Sequence, residues 1–158
     1  MIYFTVCTKP LDILIAFDVS GSTDPATFNK LRTFLNNLVG TFEISNAKAR
    51  IVVFGFDHQA RFSGVTSFDQ AGAQSLAGVR NQLNSIPFNR GGTNITLGLV
   101  EAINVFNGST VRPNVPRVAV FASDGENQGG SDSLRIPAQQ LRTVSETKSG
   151  LRTGYSME

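Results

Sequence analysis

Asp18-Val19-Ser20-Gly21-Ser22 follows directly on the apolar run Ile13 to Phe17, so one carboxylate and two hydroxyls emerge together at the end of a strand. Two distant segments bring further oxygen side chains into the same kind of setting. Gly91-Gly92-Thr93-Asn94 opens a helical pattern, and Ser123-Asp124-Gly125-Glu126 follows the apolar run Val118 to Ala122. Carboxylate, hydroxyl and water oxygens are what Mg²⁺ prefers, and Mg²⁺ usually keeps part of its coordination sphere free for a partner. Asp18, Ser20, Ser22, Thr93 and Asp124 are therefore candidate ligands of one divalent cation. The chain reads first as a metal-dependent binding domain.

The elements that must position these residues are legible as an alternation. Leu11 to Val19 is an almost continuous β-favouring apolar run, as expected of a strand buried on both faces of a parallel sheet. Asp24 and Pro25 make a helix start, with Asp as N-cap and Pro at the first helical position. Phe28, Leu31, Leu35, Leu38 and Phe42 then recur at spacings of three and four, which lays one helix face on the sheet. Ala49 to Phe56 is a second strand and Ala60 to Val65 a short third. The brief link at Asp57-His58 predicts an antiparallel hairpin, because a parallel pair needs a crossover of a dozen or more residues, and the third strand is expected at a sheet edge. Gln70 to Ile86 carries Leu76, Val79, Leu83 and Ile86 on one helical face. Pro87 to Gly92 is a loop by composition, and Thr93 to Phe106 returns to helical periodicity. Val118 to Ala122 is expected to be another buried strand, and Ser131 to Glu146 a last helix whose start Pro137 delays. Strands alternating with amphipathic helices predict a three-layer α/β/α sandwich around a mainly parallel, doubly wound sheet with one antiparallel edge strand. In such sheets ligands bind beyond the carboxyl ends of strands where the strand order reverses, which is where Asp18 and Asp124 would sit.

Composition narrows the function classes. A chain of 158 residues fits one domain with a real core; the core is expected at about residues 11–141, with an irregular tail over 143–158. No apolar run approaches the roughly 20 residues that cross a bilayer, so membrane insertion is not expected. The 14 Lys and Arg against 12 Asp and Glu are scattered, which argues against nucleic acid as a partner, since phosphate binding needs clustered cations. Cys7 is the only cysteine, so no internal disulfide forms. Met1 to Val6 is too short for a secretory signal. His58 has no second His and no Cys near it, so it reads as a solvent-facing turn residue rather than a zinc ligand.

Asp18-x-Ser20-x-Ser22, Thr93 and Asp124-Gly125, in this order and each in a strand-to-loop context, resemble the metal-ion-dependent adhesion site of von Willebrand factor type A domains. The similarity runs from about Cys7 to about Leu141, and Cys7 before Pro10-Leu11-Asp12 resembles the start of matrilin-like and non-fibrillar collagen-like members. The resemblance implies that the hydroxyls of Ser20 and Ser22 bind the cation directly and that Thr93 binds it directly or through water. It implies that Asp18 and Asp124 act through water, with Mg²⁺, or Mn²⁺ or Ca²⁺, as the ion. An acidic side chain of an extracellular-matrix or cell-surface protein would fill the open position, which makes this a secreted, non-enzymatic adhesion module.

Two other readings compete. One is an intracellular scaffold of the same family. The other is a phosphatase of the haloacid dehalogenase type, which Ser20 disfavours: it stands two residues after Asp18, where that chemistry needs an acid/base carboxylate. Asn94-Ile95-Thr96 and Asn107-Gly108-Ser109 both fit the N-glycosylation pattern, with Asn107 the better acceptor because a glycan on Asn94 would crowd the metal rim. Related domains continue past Leu141 with further strands and a closing helix, none of which follows here. A truncated domain is therefore expected, with an open flank beside Val118 to Ala122 and marginal stability or aggregation in isolation.

Overall fold

Four strands and four α-helices, in the order β-α-β-β-α-α-β-α, make up a computed structural model that describes residues 6–21, 24–123, 127, 130 and 132–146. The strands are β1 (Leu11–Asp18), β2 (Ala49–Phe56), β3 (Ala60–Phe62) and β4 (Arg117–Ala122). The helices are α1 (Pro25–Val39), α2 (Leu76–Ser85), α3 (Ile95–Asn107) and α4 (Asp132–Glu146), with a single 3₁₀ turn at Ala71–Ala73. The sheet order is β3-β2-β1-β4. β1 is parallel to both neighbours, and β3 runs antiparallel to β2 at one edge, as the short link at Asp57-His58 requires.

Side-chain alternation sends each inner strand to two cores. Ile13, Ile15 and Phe17 of β1 with Ile51 and Val53 of β2 pack against Phe28, Leu35 and Val39 of α1 and Val79 and Leu83 of α2. Leu14 and Ala16 with Val52, Phe54 and Phe56 pack against Leu99, Ala102 and Phe106 of α3 and Leu141 of α4. The sheet is thus sandwiched between two helical layers. No helix among the described residues is long and apolar enough to cross a membrane.

Helix α1 starts as its sequence dictates: Asp24 Oδ1 accepts the amides of Ala26 and Thr27 at 2.7 and 3.1 Å, with Pro25 opening the helix. Five expectations are corrected. Phe42 lies beyond α1, which ends at the Gly40 cap; it pairs instead in a bridge with Cys7. The 70–86 helix divides into the 3₁₀ turn, which ends at Gln74, and α2, which Ser75 caps by accepting the Gly78 amide. Pro137 sits inside α4 rather than delaying it. Its start is anchored upstream, where Asn127 Nδ2 donates to Ser133 Oγ and Ser133 Oγ donates to the Gly130 carbonyl, so one lost backbone bond does not undo the first turn. The helix also runs to Glu146, past the expected start of the tail; residues 147–158 lie outside the described ones. Finally, β4 is not a buried strand. Among the described residues it pairs with β1 alone, and Val118 is exposed.

Two polar knots brace the sheet. Asp12, buried at the start of β1, accepts hydrogen bonds from Arg50 and Arg112. Gln82 of α2 reaches the β2 backbone, accepting from the Val53 amide at 2.8 Å and donating to the Ile51 carbonyl. It thereby satisfies backbone groups that the three-residue β3 leaves unpaired.

Candidate metal site

The chain leaves β1 for β2 on one side and later returns to β4 on the other, so the strand order reverses between β1 and β4. A crevice forms at the carboxyl ends of strands at such a point. Phe17 is in register with Ala122, which sets Asp18 and Ser123 side by side. Ser123 Oγ donates to Asp18 Oδ2 at 2.9 Å, and the Ser20 amide donates to Asp18 Oδ1 at 2.7 Å. The Asp18 carboxylate therefore joins the loop after β1 to the loop after β4.

The third segment arrives as a strip of backbone. The Asn89 amide donates to the Val19 carbonyl and the Gly21 amide to the Gly91 carbonyl, both at 2.9 Å. Close approach needs glycine on both sides. A Cβ on Gly21 would stand 3.1 Å from the Arg90 backbone, and one on Gly91 would stand 2.8 Å from the Asp57 carboxylate and against the His58 ring. The strip lowers Thr93 onto the rim, where Ser20 Oγ and Thr93 Oγ1 lie 2.8 Å apart in a hydrogen bond. Both residues are buried, Ser20 completely and Thr93 to 4% exposure, so these hydroxyls are fixed rather than rotating in solvent. Asn94 caps α3, accepting the Leu97 amide at 2.9 Å.

Three of the five candidate ligands, Asp18, Ser20 and Thr93, are thus brought together from segments far apart in sequence. Ser22 and Asp124 lie outside the described residues. His58 is half exposed, and among the described residues no three His, Cys, Asp or Glu side chains gather into a metal cluster. The donors that do converge are hard oxygens, a set that suits a divalent cation.

Sequence reasoning missed Asp57, Asn89 and Ser123. Asp57, just past β2, is fully buried and accepts Gln59 N at 2.7 Å, Arg61 Nη2 at 2.9 Å and Asn89 Nδ2. Burial would push its carboxyl up, but the Gln59 amide, the Arg61 and Asn89 hydrogen bonds and the Arg61 charge outweigh it and hold it below the usual carboxylate range. The one available signal was an Asp followed four residues later by Arg in a hairpin.

A family model for the von Willebrand factor type A domain matches residues 12–151, and the chain belongs to that family. Von Willebrand factor A domain-containing protein 2 of Xenopus laevis is 30% identical over 140 residues, covering 86% of this chain and 16% of the relative. Matrilin-1 of Gallus gallus is 25% identical over 138 residues, covering 86% and 28%. The chain therefore spans less than a third of the length of these relatives. Among solved structures, proximal thread matrix protein 1 from the mussel byssus with zinc occupied MIDAS motif aligns at a TM-score of 0.74 and 24% identity, over 89% of this chain and 35% of that one. At that identity the likeness establishes the fold.

Proposed function

We propose that this chain is a non-enzymatic protein-binding module of the cell-adhesion or extracellular-matrix kind. It takes an acidic side chain of its partner onto a divalent cation, Mg²⁺ or in its place Mn²⁺ or Ca²⁺, at the rim above β1 and β4. The observation that carries this reading is the pair of buried hydroxyls, Ser20 Oγ and Thr93 Oγ1, held 2.8 Å apart from positions 73 residues apart. Adjacent oxygens of an octahedral Mg²⁺ site with bonds of about 2.0–2.1 Å stand about 2.9 Å apart. The two hydroxyls fit such an ion with almost no rearrangement.

Ser20 and Thr93 are the direct ligands in this reading, with Ser22 beside them by the motif. Asp18 has both carboxylate oxygens engaged by the Ser20 amide and the Ser123 hydroxyl, which suits it to hold water and balance charge from behind, a role the motif also gives Asp124. A bound dication supplies Lewis-acidic coordination for a partner carboxylate. The chain's own residues supply rigidity and two negative charges, few enough to leave the outward face electron-poor. Ser20 is buried where a phosphatase of the haloacid dehalogenase type would need an acid/base carboxylate, which supports binding rather than that turnover. The matrilin likeness supports a protein partner in the matrix and an extracellular setting.

Binding of the full chain to a panel of matrix proteins tests this directly. Capture in Mg²⁺ that disappears in EDTA and in Asp18→Ala is the expected pattern. Equal capture in all three conditions would remove the cation from the mechanism.

A further inference from the structure

Residue 57 grips the Thr93 loop at both ends. Ahead of Thr93, Asn89 Nδ2 donates to the Asp57 carboxylate. Behind it, the Asn94 amide donates to the Asp57 carbonyl at 3.1 Å. Between them Gly91 lies against the Asp57 carboxylate and the His58 ring so closely that no side chain fits. Asp57 is itself immobilised: its side chain is fully buried, its Oδ1 takes the Gln59 amide, and Arg61 of β3 holds Oδ2 through Nη2 at 2.9 Å and Nε at 3.2 Å. The hairpin between β2 and β3 therefore acts as a clasp on a segment that has no regular secondary structure between Ile86 and Ile95.

We propose that Asp57, through Asn89, is a positioning residue of the cation site, which sets Thr93 Oγ1 at the height where it meets Ser20 Oγ. The inference rests on the cation reading above and deepens it. A loop of this composition, with two glycines and no helix or strand of its own, must otherwise be ordered when the ion binds, and the ordering entropy is then subtracted from ion affinity. With the clasp closed, that entropy is lost on folding instead. Partners standing one layer behind metal ligands typically contribute about 10–100-fold in metal affinity. Asn89 ties the loop to Asp57 at one point, so a loss near the lower bound, about tenfold, is expected.

Mn²⁺ is the probe, with the free aquo ion read by electron paramagnetic resonance at 10 °C in parallel with thermal melts. Asn89→Ala opens the loop side of the clasp while leaving the Asp57–Arg61 pair intact, so it keeps the test available should Asp57→Asn fold poorly. Asn89→Ala is expected to bind Mn²⁺ about tenfold more weakly than the wild type, and its combination with Asp57→Asn to lose little more than either alone. A clasp that serves folding only would lower the melting temperature and leave Mn²⁺ affinity at 10 °C where it was; that result, or fully additive losses, overturns the assignment. Ser20→Ala separates the two levels. If it abolishes Mn²⁺ binding while Asn89→Ala does nothing, the cation site stands and the positioning role falls. If the wild type does not bind Mn²⁺, or Ser20→Ala binds it equally well, both fall together.

Discussion

Replacing Asp12 by Asn removes one negative charge from between two guanidinium groups at the end of the sheet opposite the site. Asp12 is fully buried and accepts five hydrogen bonds at 2.8–3.1 Å, from Arg50 Nε and Nη2 and from the Arg112 amide, Nε and Nη2. Arg50 is only 4% exposed. The neutral amide keeps the volume, but it turns an NH₂ group toward donors and leaves two cations facing each other away from water. Breaking a buried ion pair from one side costs about 3–5 kcal/mol, a large share of the roughly 5–15 kcal/mol that holds a domain folded. For a chain of this size each kcal/mol moves the melting temperature by about 2–4 °C, so a drop of about 6–20 °C is expected by circular dichroism. The acid response carries the sign. Burial would raise the Asp12 pKa, but the Arg50 and Arg112 hydrogen bonds and the Arg50 charge together place it below the usual value. The unfolded chain then takes up the proton first, so the Asp12 contribution is complete above about pH 4 and fades as pH falls through the depressed folded value. The gap between wild type and Asp12→Asn should be flat from neutral pH to about pH 5 and close below about pH 4. A loss under about 1 kcal/mol, or a gap that widens on acidification, would refute the reasoning.

Gly91→Ala is expected to cost about 1–3 kcal/mol through overpacking against the Asp57 carboxylate and to weaken cation binding with it, read by a melt and an Mn²⁺ titration; wild-type values in both would show that the loop has slack. Expressed through a secretory pathway, the chain should carry an N-glycan on Asn107, which is exposed at the end of α3, and not on Asn94, whose side chain caps α3. Mass spectrometry after glycosidase treatment decides it, and a glycan on Asn94 would contradict the observed cap.

Local rules carried the reading wherever the cause was local. Asp24-Pro25, the two-sided apolar strands and the short β2–β3 link predicted α1, the parallel core and the antiparallel edge from neighbouring residues alone. The meeting of Asp18, Ser20 and Thr93 was legible because each follows or precedes a recognisable element, and a doubly wound sheet collects such ends on one rim. What stayed hidden depends on which side chains meet across the fold. Asp12 reads as an ordinary polar residue early in a strand until Arg112 arrives from 100 positions away. Gln82 reads as helix surface until β3 proves too short to cover β2. Asp57 and Asn89 have no shared motif, and only the folded loop shows that one holds the other. Pro137 misled for the same reason, since Thr96 of α3 meets Ser133 in a hydrogen bond that helps fix the start of α4.

The central claim is tested most directly by crystals of the chain grown with Mn²⁺ and measured at a wavelength that gives a manganese anomalous signal. The account predicts one strong peak at coordination distance from both Ser20 Oγ and Thr93 Oγ1, with Asp18 behind it. No peak at that rim, or a peak bound by other residues while neither of those two hydroxyls reaches it, would contradict it.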